Sequence, residues 1–169
     1  MSIHEQVNEV MEGIPSDGIK IRGFFRVHIV EPTGEIVGDS GWIENQVTNL
    51  GFNEYLVSTL GAIAGSKQIS HVALGSGTIP GAADTSLAGE VEVRAAVTAA
   101  TSSSSKTLNL TATFSSAASF VTNTQNISNI GLFNTSEAGV GTVFAGYSYA
   151  SSSCATNQNV NITYNVVFS

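Results

Sequence analysis

Charge almost disappears from the second part of this chain, and that loss restricts the possible fold more than any other feature. The 75 residues after Arg94 contain two charged side chains, Lys106 and Glu137, whereas 34 of them are Ser, Thr or Asn. Apolar residues alternate with these neutral polar ones, which is the pattern of half-buried β-strands. Soluble monomers usually spread mixed charge over their exterior and their sheet edges. We therefore expect a β-structure whose faces are covered by other copies or by other proteins.

Composition indicates one domain and argues against nucleic acid as a partner. A chain of 169 residues with 42% hydrophobic side chains is long enough for a single substantial core. Charged residues make up only 11%, against about 25% in an average globular protein. The net charge of −7 arises wholly before residue 95. Because nucleic-acid binding needs clustered Lys and Arg, we do not expect it here.

The first 18 residues are predicted to form an arm and a hinge, followed by a single β-rich domain over 19–169. Residues 2–12 fit a short amphipathic helix, with Ser2 and Glu5 at capping-box spacing. A helix shorter than about 12 residues hardly persists alone in water, so it must dock on its own domain or on a neighbour. Its apolar side would consist of Ile3, Val7, Val10 and Met11.

Two further features bear on the compartment. The chain start lacks the basic and apolar regions of a signal peptide, and nowhere do 18 apolar residues run together. We expect synthesis in a cytoplasm and no insertion in a membrane. The single cysteine, Cys154, has no intramolecular disulfide partner and is expected to be a small buried hydrophobe.

The first strand is predicted from Ile19, where apolar residues begin to alternate with basic ones. A turn over 31–35 should lead into a partner strand over 36–44. The opposite face of the first strand carries Lys20, Arg22, Arg26 and His28. Acidic residues nearby match this stripe, so we interpret it as a solvated cross-strand face.

One α-helix is predicted between the second and third strands. Thr48 or Asn49 would cap it, and Phe52, Leu56 and Leu60 recur every fourth residue. Gly51 would allow a close approach of the backbone. Trp42 would serve as a large apolar anchor just before the helix.

The rest of the chain is predicted to be β. Alternation is clearest in the last strand, where Tyr164 shares its face with apolar neighbours and is expected in the core. The fold class is therefore mainly β, an antiparallel β-sandwich or jelly-roll-like barrel with one inserted α-helix and the short N-terminal helical arm. The remaining predicted strands are 68–74, 90–99, 108–114, 127–133, 143–149 and 159–168.

Patterns typical of catalysis or cofactor binding are weak. Gly75-Ser76-Gly77 lacks the lysine of a phosphate-binding loop and the spacing of a serine nucleophile elbow. The three histidines, His4, His28 and His71, show no metal-ligand spacing. A serine nucleophile could still use His28 or His71 with Asp39 or Asp84.

Asp84, Glu90 and Glu92 could supply a glycosidase pair, and Glu90 with Glu92 could hold a surface calcium ion, but nearby carboxylates are more often solvated. We expect no catalytic residue, no metal and no cofactor.

Three stretches carry a resemblance to a known group. Residues 42–51 resemble the W-x-x-N-x-V-T-N-x-G pattern of small tailed-bacteriophage virion proteins. The second stretch, from Ala73 through Pro80 and residues 84–87 to Glu90 and Arg94, and the third, Ile127–Asn134, are similar to that group's next two blocks. The likeness covers somewhat over half of the chain, and related blocks occur in head-associated and tail-associated proteins alike. It implies a structural role in a phage particle.

The leading hypothesis is a non-enzymatic virion protein, a capsid decoration (cement) protein that stabilises the assembled shell. The expected partners are itself, as a homotrimer, and a major capsid or tail protein, with neither nucleic acid nor membrane. The expected location is the virion, assembled in the bacterial host cytoplasm. Candidate partner contacts are Ile3, Val7, Val10, Met11, Lys20, Arg22 and Arg26.

Two alternatives remain open. The chain could be a tail, collar or fibre-adaptor component. It could also be a carbohydrate-binding β-sandwich, in which exposed aromatic side chains stack on sugar rings. The candidates for such stacking are Trp42, Tyr147, Tyr149 and Tyr164.

Overall fold

A computed structural model describes residues 19–81, 83–84, 86–101 and 105–169. The predicted arm over 2–12 and its hinge lie outside these ranges. The described chain is mainly β, with antiparallel strands arranged as a nearly closed, barrel-like sheet. Its strands are β1 (Ile21–Val30), β2 (Ile36–Asp39), β3 (Ile43–Val47), β4 (His71–Gly75), β5 (Ala95–Ala96), β6 (Thr98–Ala100), β7 (Thr107–Phe114), β8 (Gln125–Phe133), β9 (Val143–Cys154) and β10 (Asn159–Phe168).

The strands form two layers that share β3. The first layer runs β3-β1-β10-β7-β6, with β2 also paired to β1, and the second runs β3-β9-β8-β4-β5. The first half of β3, Ile43–Asn45, pairs with β1, and its second half, Gln46–Val47, pairs with β9. On the other side, a single residue separates β5 from β6, so the chain passes directly from one layer to the other. The predicted sandwich or barrel is confirmed.

Alternation places one side of each long strand in the core. In β1 and β10, Phe25 pairs with Tyr164 across the sheet, and their rings stack with centroids 6.0 Å apart. Both side chains are fully buried, as expected for Tyr164. Asn45 Nδ2 donates to the Tyr164 hydroxyl, so this buried phenol has a hydrogen-bond partner. Cys154 is buried and unpaired, as predicted.

The prediction of one continuous return strand over 36–44 is wrong, because this segment is divided between two strands. The turn before it forms as expected, with Gly34 N–H donating to Glu31 O at 2.9 Å. The strand then ends at Asp39, and β3 starts at Ile43. Trp42 lies between the two strands and is 51% exposed, so it is not the apolar anchor expected before the helix.

The helix is present but differs from the predicted α-helix. Gly51–Val57 is a π-helix, and the α-helical residues lie on either side of it, at 49–50 and at Ser58–Leu60. Ser58 donates to Asn53 O through both its backbone N–H and its hydroxyl. Because a π-turn is wider than an α-turn, residues spaced by four do not form one buried stripe. Tyr55 is buried instead, whereas Phe52 and Leu60 are exposed.

Thr48 fixes the start of this helix, which agrees with one of the two predicted caps. Its hydroxyl accepts from Gly51 N–H at 2.8 Å, and its O–H faces the carbonyl oxygens of Val143 and Phe144, at 2.5 and 3.1 Å. Gly51 sits against β9: a Cβ atom at this position would lie 2.1 Å from Phe144 O. The expected close approach at Gly51 is confirmed.

The strands predicted over 68–74 and 90–99 are shorter or divided. The first is β4, which starts only at His71. The second is reduced to β5 and β6, and Glu90 forms only an isolated bridge with Gly75. Within the described residues, no helix has the length and apolar character needed to cross a membrane.

Candidate interaction surfaces

The outward side of the first layer changes from charged to neutral across the sheet. On β1 it carries Arg22, Phe24, Arg26 and His28, and the strand register places Val167, Asn165, Thr163 and Asn161 of β10 beside them. The next column, on β7, contains Asn109, Thr111 and Thr113. Beyond it, Thr98 and Ala100 of β6 complete the surface. The loss of charge along the sequence thus corresponds to a decrease in charged side chains across the sheet, perpendicular to its strands, from β1 to β6.

The basic residues on this sheet are paired within the chain. Arg22 Nε and Nη2 donate to the Glu44 carboxylate at 2.8 and 2.9 Å. Arg26 forms the same two-point contact with Asp39, at 2.9 and 2.5 Å. His28 Nε2 lies 3.3 Å from Asp39 Oδ1. We call this group of paired side chains on β1–β3 the charged face.

These contacts lower the pKa values of both carboxyl groups. The hydrogen bonds from Arg26 and from Gly41 N–H hold the pKa of Asp39 well below its usual range. The Arg22 hydrogen bond lowers the pKa of Glu44. The predicted solvated cross-strand face is therefore observed, although Asp39 takes a place that the sequence did not suggest. Of the three basic candidate contacts, Lys20 is exposed, and Arg22 and Arg26 are bound to carboxylates.

The neutral half of the sheet is held by amides and hydroxyls. Asn109 Nδ2 donates to Asn165 Oδ1 at 2.7 Å, and Thr113 Oγ1 donates to Asn161 Oδ1 at 2.9 Å. Thr111 lies between these two pairs, opposite Thr163. We call this surface the neutral ladder; it consists of Asn109, Thr111, Thr113, Asn161, Thr163 and Asn165.

The glycine-rich loop after β4 is fixed by the interior of the second layer. Asn129 of β8 is fully buried, and its Nδ2 donates to Thr78 O and Ala88 O, each at 2.9 Å. The Asn129 side chain and the loop leave no room at Gly75, where a Cβ atom would lie 2.6 Å from Asn129 Oδ1. The loop is therefore a packed structural element, and its backbone carbonyls are used internally.

The three acidic residues near this loop, Asp84, Glu90 and Glu92, do not form a common binding site. Glu90 binds Arg94 in a buried ion pair, with Nε and Oε1 2.5 Å apart. Asp84 Oδ2 instead accepts from Gly81 N–H at 2.7 Å, while Glu92 is exposed. Among the described residues, no three His, Cys, Asp or Glu side chains are placed to hold a metal ion.

The two described histidines are not gathered into one site, although Ser70 Oγ lies 2.8 Å from His71 Nδ1. His4 lies outside the described residues; His28 is on β1 and His71 on β4, in different layers. His28 does meet Asp39, but in the part of the chain that the structure describes no serine is hydrogen-bonded to His28. Of the four aromatic residues considered for sugar stacking, Tyr149 and Tyr164 are buried and Trp42 and Tyr147 are exposed.

An apolar groove of about 690 Å³ lies between the helix and the end of the first layer. The helix contributes Phe52, Leu56 and Leu60 to its lining, and the sheet contributes Ile21, Val166 and Phe168. Ile19, the first residue that the structure describes, lies at the same groove and is 78% exposed. Leu60 is 89% exposed and Val57 62%. The sequence did not predict this groove, because the spacing of Phe52, Leu56 and Leu60 gave no sign that the π-turn would leave Phe52 and Leu60 exposed.

Lys67 lies at the border of the groove, where it forms an ion pair with Glu54. Glu54 and Lys67 both contact Thr142 Oγ1, at 3.1 and 2.8 Å. Tyr55 donates its hydroxyl to Thr142 O. These contacts attach the helix to the loop before β9 and keep one wall of the groove in place.

No protein-family model matches this chain, and neither does any curated protein or solved structure.

Proposed function

We propose that the chain is a non-enzymatic structural protein of a tailed-bacteriophage particle, and specifically a decoration protein of the capsid. The observation that carries this proposal is the gradient across the first layer, from the charged face to the neutral ladder. A surface that is neutral and rich in hydrogen-bonding side chains suits contact between protein subunits, because interface cores are depleted of charge.

The residues of the phage-like blocks support a structural role. Thr48 and Gly51 fix the helix against β9. Asn129 holds the glycine-rich loop, and Arg94 is buried with Glu90. Each of these side chains is used to build the fold, so the blocks that carry the resemblance supply structural side chains in this chain.

In the proposed assembly, the two halves of the sheet have different neighbours. The neutral ladder lies between copies of the chain in a homotrimer, and the charged face, with Lys20 beside it, meets the major capsid protein. Binding only to the assembled shell stabilises the shell by mass action. The particle forms in the bacterial host cytoplasm, and the proposal includes neither nucleic acid nor membrane as a partner.

The experiment is addition of the purified protein to expanded empty capsids and, separately, to purified tails, followed by sedimentation. Co-sedimentation with capsids at a fixed ratio, together with a trimer in analytical ultracentrifugation, is the expected result. Co-sedimentation with tails alone would replace the decoration role by a tail, collar or fibre-adaptor role. Absence of binding to both particles would overturn the virion proposal.

A carbohydrate-binding role has its own measurement. Trp42 and Tyr147 remain exposed, so isothermal titration with a panel of glycans is the direct test. A saturable heat of glycan binding that is lost in the Trp42→Ala or Tyr147→Ala variant would favour this role over a virion role. We expect no such heat.

A further inference from the structure

The apolar groove lies where the described chain starts. Ile19 and Ile21 are part of its lining, and residues 1–18 directly precede Ile19 in the sequence. The groove exposes large apolar side chains of the helix, chiefly Val57 and Leu60. An exposed apolar concavity of this size is usually occupied in the working form of a protein.

We propose that residues 2–12 of the same chain occupy this groove as an amphipathic helix, with Ile3, Val7, Val10 and Met11 facing its floor. The segment has one apolar side, and Glu5, Glu9 and Glu12 stand on the opposite side of the helical pattern. Docking would cover the exposed residues of the groove and leave the acidic side in water. It would also provide the tertiary contacts without which so short a helix does not persist.

The lengths are compatible with docking on its own domain. Eleven residues of α-helix extend about 16 Å at 1.5 Å per residue. The six residues 13–18 reach at most about 20 Å when extended. Gly13, Pro15 and Gly18 favour a change of direction there. The chain can therefore turn back along a groove that it already borders at Ile19.

The short hinge favours the groove of the same chain over that of a second copy. A segment attached through six residues is present at an effective concentration of the order of millimolar. Exchange between copies must compete with this intramolecular contact. The chain's own arm is therefore the occupant, and the four apolar residues of the arm are not free to contact a capsid protein.

The test is paramagnetic relaxation in the full chain. A spin label on Glu9→Cys, in a Cys154→Ala background, lies on the polar side of the segment and does not enter the groove. We expect strong broadening of the amide signals of Phe52, Leu56 and Phe168. Signals near Val30 and Asn159, at the far end of the same strands, should be unaffected.

Two comparisons decide the occupant. In a mixture of isotope-labelled chain without a spin label and spin-labelled chain without isotope, broadening of the groove signals would show a second copy and overturn the proposal. In the spin-labelled chain, Val7→Asp combined with Val10→Asp should abolish the broadening. Glu5→Gln combined with Glu12→Gln, a matched pair on the polar side, should preserve it.

A second measurement does not depend on these variants. Deletion of residues 1–18 should raise the fluorescence of an apolar dye several-fold, and a synthetic peptide of residues 1–18 should reverse the rise. Unchanged dye binding, or groove signals without broadening in the spin-labelled chain, would overturn the proposal. Native mass spectrometry that shows a co-purified apolar molecule in place of the arm would overturn it too. All these measurements are made without capsids, so they are independent of the virion role.

Discussion

The guanidinium carbon of Arg94 lies 3.6 Å from the centroid of the Phe133 ring, with Glu90 bound to the edge of the same guanidinium. The side chains of Arg94 and Glu90 are 0% and 6% exposed. Removal of one partner from a buried ion pair leaves an uncompensated charge. We expect Arg94→Ala to lower the free energy of unfolding by about 3 to 5 kcal/mol, measured by urea denaturation.

The matched control is Arg22→Ala, which removes an arginine whose pair with Glu44 is half exposed. Exposed pairs contribute little to stability. An equal loss of stability in the two variants would contradict the structural role of Arg94.

Asn129 is expected to be essential for the glycine-rich loop. Asn129→Asp replaces an amide that donates to two carbonyl oxygens by a group that donates to neither, at a fully buried position. We expect a loss of about 2 to 4 kcal/mol, because two carbonyls lose their donor and a carboxylate is buried. The loop around Thr78 and Ala88 should also become sensitive to limited proteolysis. Asn126→Asp, at an exposed position of the same strand, should behave like the unmodified chain.

Gly51 is expected to tolerate no side chain. Gly51→Ala would place a methyl group 2.1 Å from Phe144 O, and the backbone of β9 would have to move. Overpacking of this kind costs about 1 to 3 kcal/mol. Gly61→Ala is the comparison, because its methyl group would meet the flexible Ile63 side chain at 3.3 Å and Val57 O at an ordinary contact distance of 3.6 Å. Thermal unfolding of the two variants should show a clearly larger loss for Gly51→Ala.

Cys154 should make stability depend on alkaline pH. Burial raises the pKa of its thiol to about 11 from an ordinary value of 9.0. The unfolded chain therefore releases this proton at lower pH than the folded chain. The contribution of the neutral thiol to the free energy of unfolding is complete below pH 9 and is lost as the pH rises toward 11. Urea denaturation at pH 8 and pH 10 should show this fall, and Cys154→Ala should reduce it. An equally steep fall in Cys154→Ala would assign the effect to other groups, such as the buried tyrosines, whose pKa values are also raised.

The neutral ladder should be sensitive to one added charge. Thr111 is exposed at the centre of the ladder, so Thr111→Lys places an ammonium in the proposed self-contact. We expect the dissociation constant of the oligomer to rise at least tenfold, measured by analytical ultracentrifugation. Thr33→Lys, the same exchange in the exposed β1–β2 turn, should have no effect. The dissociation constant of the unmodified oligomer should change only weakly with salt concentration, since few charges lie in this surface.

Alternation predicted the strands well where a strand has one buried and one solvated side. For β10 the predicted bounds and the buried position of Tyr164 agree with the structure. The helix was predicted in the right place, but the sequence carried no signal of a π-turn, because its spacing of four fits an α-helix equally well. Consequently the sequence did not show that Phe52 and Leu60 border a groove.

The surface was predictable in outline only. The sequence showed that charge is lost after Arg94, but not that β1, β10 and β7 would lie side by side and convert this loss into a gradient. Which acidic residue meets Arg26 depends on the break between β2 and β3, and this break has no clear pattern. The pairing with Asp39 therefore appeared only in three dimensions.

Lys20 and Ser169 exchange two backbone hydrogen bonds, at 2.6 and 2.9 Å, and continue the register in which Ile21 faces Phe168. Strand β1 is thus made first and receives its principal neighbour last. Until β10 has been synthesised, one hydrogen-bonding edge of β1 has no partner, and the Phe25 ring lacks Tyr164, on which it stacks. Pairings of such long range fold slowly and expose strands to aggregation. We infer that productive folding of this chain begins after synthesis of its final strand, and that a nascent chain cut short before residue 159 depends on chaperones to remain in solution.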